Sequence, residues 1–261
     1  MGELILGDNT KYERYEELLL KRDQLYREAC SIETSYVKEF GDLLLRDFEL
    51  KIGCIKKKKM IAYCQTAINH GEAIDVTDMN EQIKRSMEIY NMQLKEMMKS
   101  KKDAEESKVS PAYKVERAKR AYRRLAKCIH PDINPAAFAN EEIRSLWGRI
   151  VAAYHANDDE ELDNLEVLVR KVLKDNGELV STPVIDDIDE RMEKLEEEIN
   201  SIITTVPYVY IDLLSDEGKV QAKKDEIMKE IEEYTRYSEE LSEMLRRLML
   251  EGGSPIAWVE D

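Results

Sequence analysis

The chain has 261 residues, enough for one large domain or about two to three small ones. Hydrophobic residues make up 43% and charged residues 36%, with only 10 Gly and 6 Pro. This is the profile of helices with narrow apolar seams and wide solvated faces, and it excludes disorder throughout. The net charge of −15 argues against general binding to nucleic acid or to an anionic membrane surface.

The N-terminal stretch Met1-Gly2-Glu3-Leu4-Ile5-Leu6-Gly7-Asp8 lacks the basic and apolar regions of a secretory signal. No apolar run of about 20 residues follows anywhere, so no spanning helix is expected. Cys30, Cys54, Cys64 and Cys128 are scattered without a Cys-x-x-Cys pair. They read as ordinary buried thiols in a reducing compartment, which makes the cytoplasm the expected location.

Tyr15, Leu18, Leu19, Arg22, Leu25 and Tyr26 have helical spacing over about residues 11–29. A second helix is predicted from about residue 34 to 68, with its seam on Val37, Phe40, Leu44, Phe48, Ile52 and Ile55. The run Lys56-Lys57-Lys58-Lys59 interrupts that seam and reads as a solvated helix face with snorkelling stems. His70-Gly71 stops the helix. Asp78, with Glu81 three residues later, has the pattern of a capping box opening a helix that carries Met79, Ile83, Met87, Tyr90, Leu94 and Met97. Residues 1–107 therefore read as a helical hairpin arm.

Ser110 as N-cap and Pro111 at the first helical position open the next helix. Val115, Ala118, Tyr122, Leu125 and Ile129 form its apolar seam. Its other face carries Lys114, Arg117, Lys119, Arg120, Arg123, Arg124 and Lys127, so the most basic helix sits inside an acidic chain. Pro131 disfavours the helical region at His130 and ends the helix there, and Asp132 and Asn134 are suited to a polar turn. Asn140-Glu141-Glu142 opens a further helix with Ile143, Trp147, Ile150 and Tyr154 inward. Asn157-Asp158-Asp159 breaks it, and Leu162, Leu165, Leu168, Val169 and Val172 continue to Asn176-Gly177. A last hairpin runs through Ile188, Met192, Leu195, Ile199 and Ile202, a stop at Pro207, and Ile227 to Leu248. The apolar segment from Pro207 to Leu214 and a tail with Trp258 are candidate contacts.

A basic helix, then His130-Pro131-Asp132, then an apolar helix resembles the J-domain of DnaJ-type co-chaperones. Tyr122-Arg123-Arg124-Leu125-Ala126-Lys127 is similar to the family's Tyr, two basic residues, Leu-Ala run, and Asn134-Pro135 follows the signature tripeptide as it often does there. Trp147, Ile150, Ala153 and Tyr154 resemble the family's pattern on the helix after the loop. A bare His-Pro-Asp arises by chance roughly once in several thousand positions, so the surrounding pattern carries the resemblance. It covers about residues 108–157.

The resemblance implies an all-α fold, with the J-domain hairpin at 108–157 flanked by the arm at 1–107, a helical region at 158–250 and a flexible tail at 251–261. It implies docking on a DnaK-class ATPase chaperone and stimulation of its ATP hydrolysis. The residues that would bind that partner are His130, Pro131, Asp132, Asn134, Tyr122, Arg123, Arg124, Lys127, Arg120 and Lys119. Arms of this kind would contact a client, a partner helix or a second copy. Three departures stand out: Ile133 replaces the family's usual Lys or Arg, the loop is a few residues longer, and the family's short first helix is absent. The helix ending near Ser100 is its expected substitute.

No enzyme activity is expected. There is no Gly-rich phosphate loop, and His130 and Asp132 have no nucleophile at motif spacing. His70, His130 and His155 are far apart without Cys support, so neither metal nor cofactor is expected. Two other functions compete: a helical scaffold whose J-domain is inactive, and nucleic-acid binding through the basic helix.

Overall fold

The structure, a computed structural model, describes residues 2–107, 110–175 and 187–253. The protein is all-α, with no strand among the described residues. In chain order the helices are α1 (Gly2–Asn69), α2 (Val76–Ser86), α3 (Glu88–Glu106), α4 (Ala112–Ile129), α5 (Pro135–Phe138), α6 (Glu141–His155), α7 (Asp159–Asp175), α8 (Ile188–Thr204), α9 (Tyr210–Leu214) and α10 (Glu217–Glu251). The two helices expected before residue 69 are one, because the chain from 29 to 34 holds neither Gly nor Pro to stop it. Asn69 then gives way to Gly71, whose φ of 71° suits the residue that ends a helix.

The chain forms two compact units. One comprises Met1–Glu33 and Lys108–Val209, the other Thr34–Ser107 and Tyr210–Asp261. The units cut across the linear order expected from the sequence: each half of α1 joins a different unit, and residues 158–209 share the unit of the His-Pro-Asp stretch. The physical reason is apolar complementarity. A one-sided helix buries its stripe against whichever partner matches it, near or far in sequence.

In the second unit, Ile52, Met60, Ile61, Cys64 and Ala67 of α1 pack with Met79, Ile83 and Met87 and with Leu241, Leu245 and Met249 of α10. Met79 and Met87 are core here, as a methionine stripe usually is. Asp75, not Asp78, caps α2, since its carboxylate accepts from the Thr77 and Asp78 amides. Asp78 instead accepts from the Tyr63 hydroxyl at 2.7 Å. Phe40 is fully buried with Ile227 and Ile231, and Leu213 and Leu214 of α9 pack beside them. In the lysine run, Lys57 donates to the Ser238 hydroxyl and carbonyl, while Lys56 and Lys58 are exposed.

In the first unit, α4, α6 and α7 form a three-helix core. Ala118, Ala121, Tyr122, Leu125, Ala126 and Ile129 face Ile143, Leu146, Ile150 and Tyr154 across to Leu162, Leu165 and Val169. The helix expected as a substitute near Ser100 belongs to the other unit and adds nothing here. Leu20 of α1 joins this core instead. A second seam joins α1 to α8 through Leu25, Ile199 and Ile202, with Tyr208 against it. Asn176-Gly177, the expected end of α7, and the Trp258 tail lie outside the described residues.

Candidate functional site

The candidate site is the turn between α4 and α6. Helix α4 runs to Ile129, and the His130 amide makes its last bond to the Ala126 carbonyl at 2.9 Å. Pro131 forces His130 out of the helix to φ −59°, ψ 135°. The His130 carbonyl then accepts from the Ile133 and Asn134 amides at 3.1 and 2.7 Å. Asn134 closes the turn twice: its Nδ2 donates to the Cys128 carbonyl at 2.9 Å, and its Oδ1 caps α5 at the Ala137 amide. The residues that lengthened the expected loop form α5 itself.

His130 sits beneath this turn, 3% exposed, with its ring edge-on to Trp147 at 5.0 Å. Its Nδ1 accepts from the Asp132 amide at 3.1 Å, which leaves Nε2 as the proton-bearing nitrogen. That Nε2 faces Oδ2 of Asp23, on α1, at 3.4 Å. The same oxygen accepts from the Tyr122 hydroxyl at 2.8 Å. Burial pushes the Asp23 carboxyl up, but the hydrogen bond from His130, the charge of Arg22 and the hydrogen bond from Tyr122 outweigh it and hold it below the usual carboxylate range. Burial and the adjoining Asp23 carboxylate push the Tyr122 phenol far up, so it stays a donor.

Other residues of α1 reach the same turn at three- and four-residue steps. The Tyr12 hydroxyl donates to the Ile133 carbonyl at 2.7 Å. Tyr15 and Leu19 pack on Ile133, which is 1% exposed, together with Leu195 of α8. Glu16 pairs with Lys127 at 2.5 Å, and Arg22 reaches Asp132 at 3.9 Å and Glu198 at 3.6 Å. The Arg27 guanidinium lies 4.6 Å over the Tyr154 ring and donates to Asn157. One stripe of α1 thus lies along the turn.

The basic face of α4 is divided. Arg124 makes a 2.7 Å bond to Glu166 of α7, and Arg117 reaches Asp159 and Asp163. Lys114 faces Asp159, whose side chain is 1% exposed, at 3.5 Å. Arg120 and Arg123 are exposed and Lys119 half-buried.

The expected site residues therefore lie on one hairpin but do not share one open surface. Asp132, Pro131 and Asn134 are half-buried, and Arg123, Arg120 and Lys119 line the outward side. Tyr122 and His130, expected at a partner, face inward, because each finds its polar partner in Asp23. Lys127 and Arg124 are engaged by the chain's own carboxylates. Sequence reasoning missed Tyr12, Glu16, Arg22 and Asp23, which lie about a hundred residues from the turn. The acids at 159, 163 and 166 were legible in principle, since their three- and four-residue steps match those of the basic face they meet.

Among the described residues no group of three or more His, Cys, Asp or Glu is placed to hold a metal ion, and no helix is long and apolar enough to cross a membrane. Comparison with known proteins gives no matching family model, no similar curated protein and no similar solved structure.

Proposed function

We propose that the protein is a J-domain-type co-chaperone of the cytoplasm. It docks on a DnaK-class ATPase and stimulates its ATP hydrolysis, and it has no enzyme activity of its own. One observation carries this reading: the His130-Pro131-Asp132 turn is fixed by its own hydrogen bonds at the end of a helix that leaves Arg120 and Arg123 exposed. Two exposed guanidinium groups beside a rigid turn suit an acidic docking surface, with charge steering the encounter and the turn delivering the signal. The helices outside the hairpin would contact a client, a partner helix or a second copy.

The test is single-turnover ATP hydrolysis by a DnaK-class chaperone with the purified protein. Stimulation should disappear in Asp132→Asn and in His130→Gln with helicity unchanged. No stimulation with the cognate partner, by the wild type or by a variant in which the turn is opened, overturns the reading.

A second reading, a helical scaffold with an inactive J-domain, draws on one specific observation. Ile133, where the resemblance leads one to expect a cation, is buried under Tyr15, Leu19 and Leu195. The same assay decides between the two. Binding to nucleic acid through α4 is less favoured, since carboxylates of the chain already answer Arg117, Arg124 and Lys127. DNA binding that weakens with salt and survives Asp132→Asn would restore it.

A further inference from the structure

The contacts that α1 and α8 make with the turn deny it to a partner. His130 is buried, its Nε2 taken by Asp23. The Ile133 carbonyl is taken by Tyr12, and its side chain is sealed by Tyr15, Leu19 and Leu195. Lys127 is neutralised by Glu16, and Arg22 stands beside Asp132. All of these covering residues come from one stripe of α1 and from α8, within one compact unit. The covering stripe also copies the chemistry expected of an acidic partner: carboxylates meet the cation and the histidine.

We propose that the N-terminal half of α1, backed by α8, is an intramolecular cover of the His130-Pro131-Asp132 turn, competing with the partner for it. The proposal rests on the co-chaperone reading. Its physical basis is a mixed contact. The polar pairs at its rim are partly exposed and screened by salt, whereas the apolar patch around Ile133, Leu20 in the three-helix core and the buried contacts of Asp23 hold its centre. Such a contact can be closed in the resting protein and still separate when a competitor takes the turn. Ile133 is the residue that suits the turn to the cover. A lysine there would bring a charge into the apolar patch formed by Tyr15, Leu19 and Leu195. A covered turn lowers apparent partner affinity by the fraction of molecules that are open.

Two measurements on the full chain test this. Amide hydrogen exchange follows residues 130–134, and single-turnover ATPase stimulation is measured below saturating partner. Leu19→Asp opens the apolar patch. Tyr12→Phe removes only the hydroxyl that holds the Ile133 carbonyl, and it keeps the test informative if Leu19→Asp fails to fold.

The expected result is faster exchange at 130–134 in both variants and stimulation raised about tenfold in Leu19→Asp, less in Tyr12→Phe, with Asp132→Asn abolishing it in either background. Equal, Asp132-dependent stimulation by wild type and variants would overturn the cover and leave the co-chaperone reading standing. If wild type and variants alike give no stimulation, the co-chaperone reading falls. The exchange data then decide the cover alone: faster exchange supports it, and unchanged exchange overturns it.

Discussion

Asp23 receives two donors that would otherwise be buried without partners, the Tyr122 hydroxyl and His130 Nε2. Replacing it by Ala should cost about 1–3 kcal/mol, the penalty for leaving buried donors unmet, read as a lowered denaturant midpoint. Tyr122→Phe should cost about 1 kcal/mol, because it removes one bond and keeps the stacked ring contact with Tyr154 at 4.0 Å. Acid should act through the same carboxylate. Its folded pKa is depressed, so the unfolded chain binds more protons, and the stability it contributes is present above the ordinary carboxylate value of about 4 and lost as pH falls through the folded value. In Asp23→Asn that part of the acid loss should vanish, which pH-dependent unfolding of the two proteins would show. Tyr12 gives the opposite sign. Burial and the neighbouring Glu16 push its phenol up to about 12, so its contribution holds below about pH 10 and fades as pH rises to about 12. Tyr122 was legible in the sequence as a residue that holds α4 down, by its place in the apolar seam. Asp23 was not, since nothing local to residue 23 marks a carboxylate that will meet residues 122 and 130.

At the scale of the element, α4 separates two jobs along its cationic face. Arg124 is joined to Glu166, whose pKa is held low by that guanidinium's hydrogen bond against the opposing effect of burial, with Arg170 adding to it. Arg123 is exposed. Arg124→Ala should therefore lower stability by up to about 1 kcal/mol, the range of partly exposed ion pairs. Arg123→Ala should leave stability within about 0.5 kcal/mol and instead weaken partner docking and flatten its salt dependence. Thermal melts beside binding titrations at two salt concentrations check both; equal effects of the two substitutions on both readouts would contradict this division. The alternation of α4 between apolar and basic positions was visible in the sequence. Which cations are paired within the chain was not, because that depends on α7 lying alongside.

At the scale of the whole molecule, the first unit is assembled from separated segments, and residues 108–157 do not make it alone. Leu162, Leu165 and Val169 of α7 are each at most 1% exposed and complete the core with α4 and α6. A fragment of residues 110–157 should lose these contacts and melt without a cooperative transition, whereas 110–175 should regain one. Circular dichroism melts of the two fragments decide it; a cooperative melt of the shorter one would refute the argument. The second unit has its own core, where α10 lies along the later half of α1 through Leu241, Leu245 and Met249. No local signal joins residue 64 to residue 249, yet their sulfurs lie 3.7 Å apart.

The sequence by itself determined most of the helices and their stops, and the turn at His130. Each of these is a short-range matter: three- and four-residue apolar steps, a proline that a helix cannot continue through, an asparagine that bonds its own backbone. Only the tertiary structure decided that residues 12–23 of α1 lie over that turn, that α7 answers much of the basic face, and that the two halves of α1 join different units. Those outcomes turn on which amphipathic stripes fit one another. Many long charged helices offer similar stripes, and burial of one against another at a distance of a hundred residues leaves no mark in the local pattern.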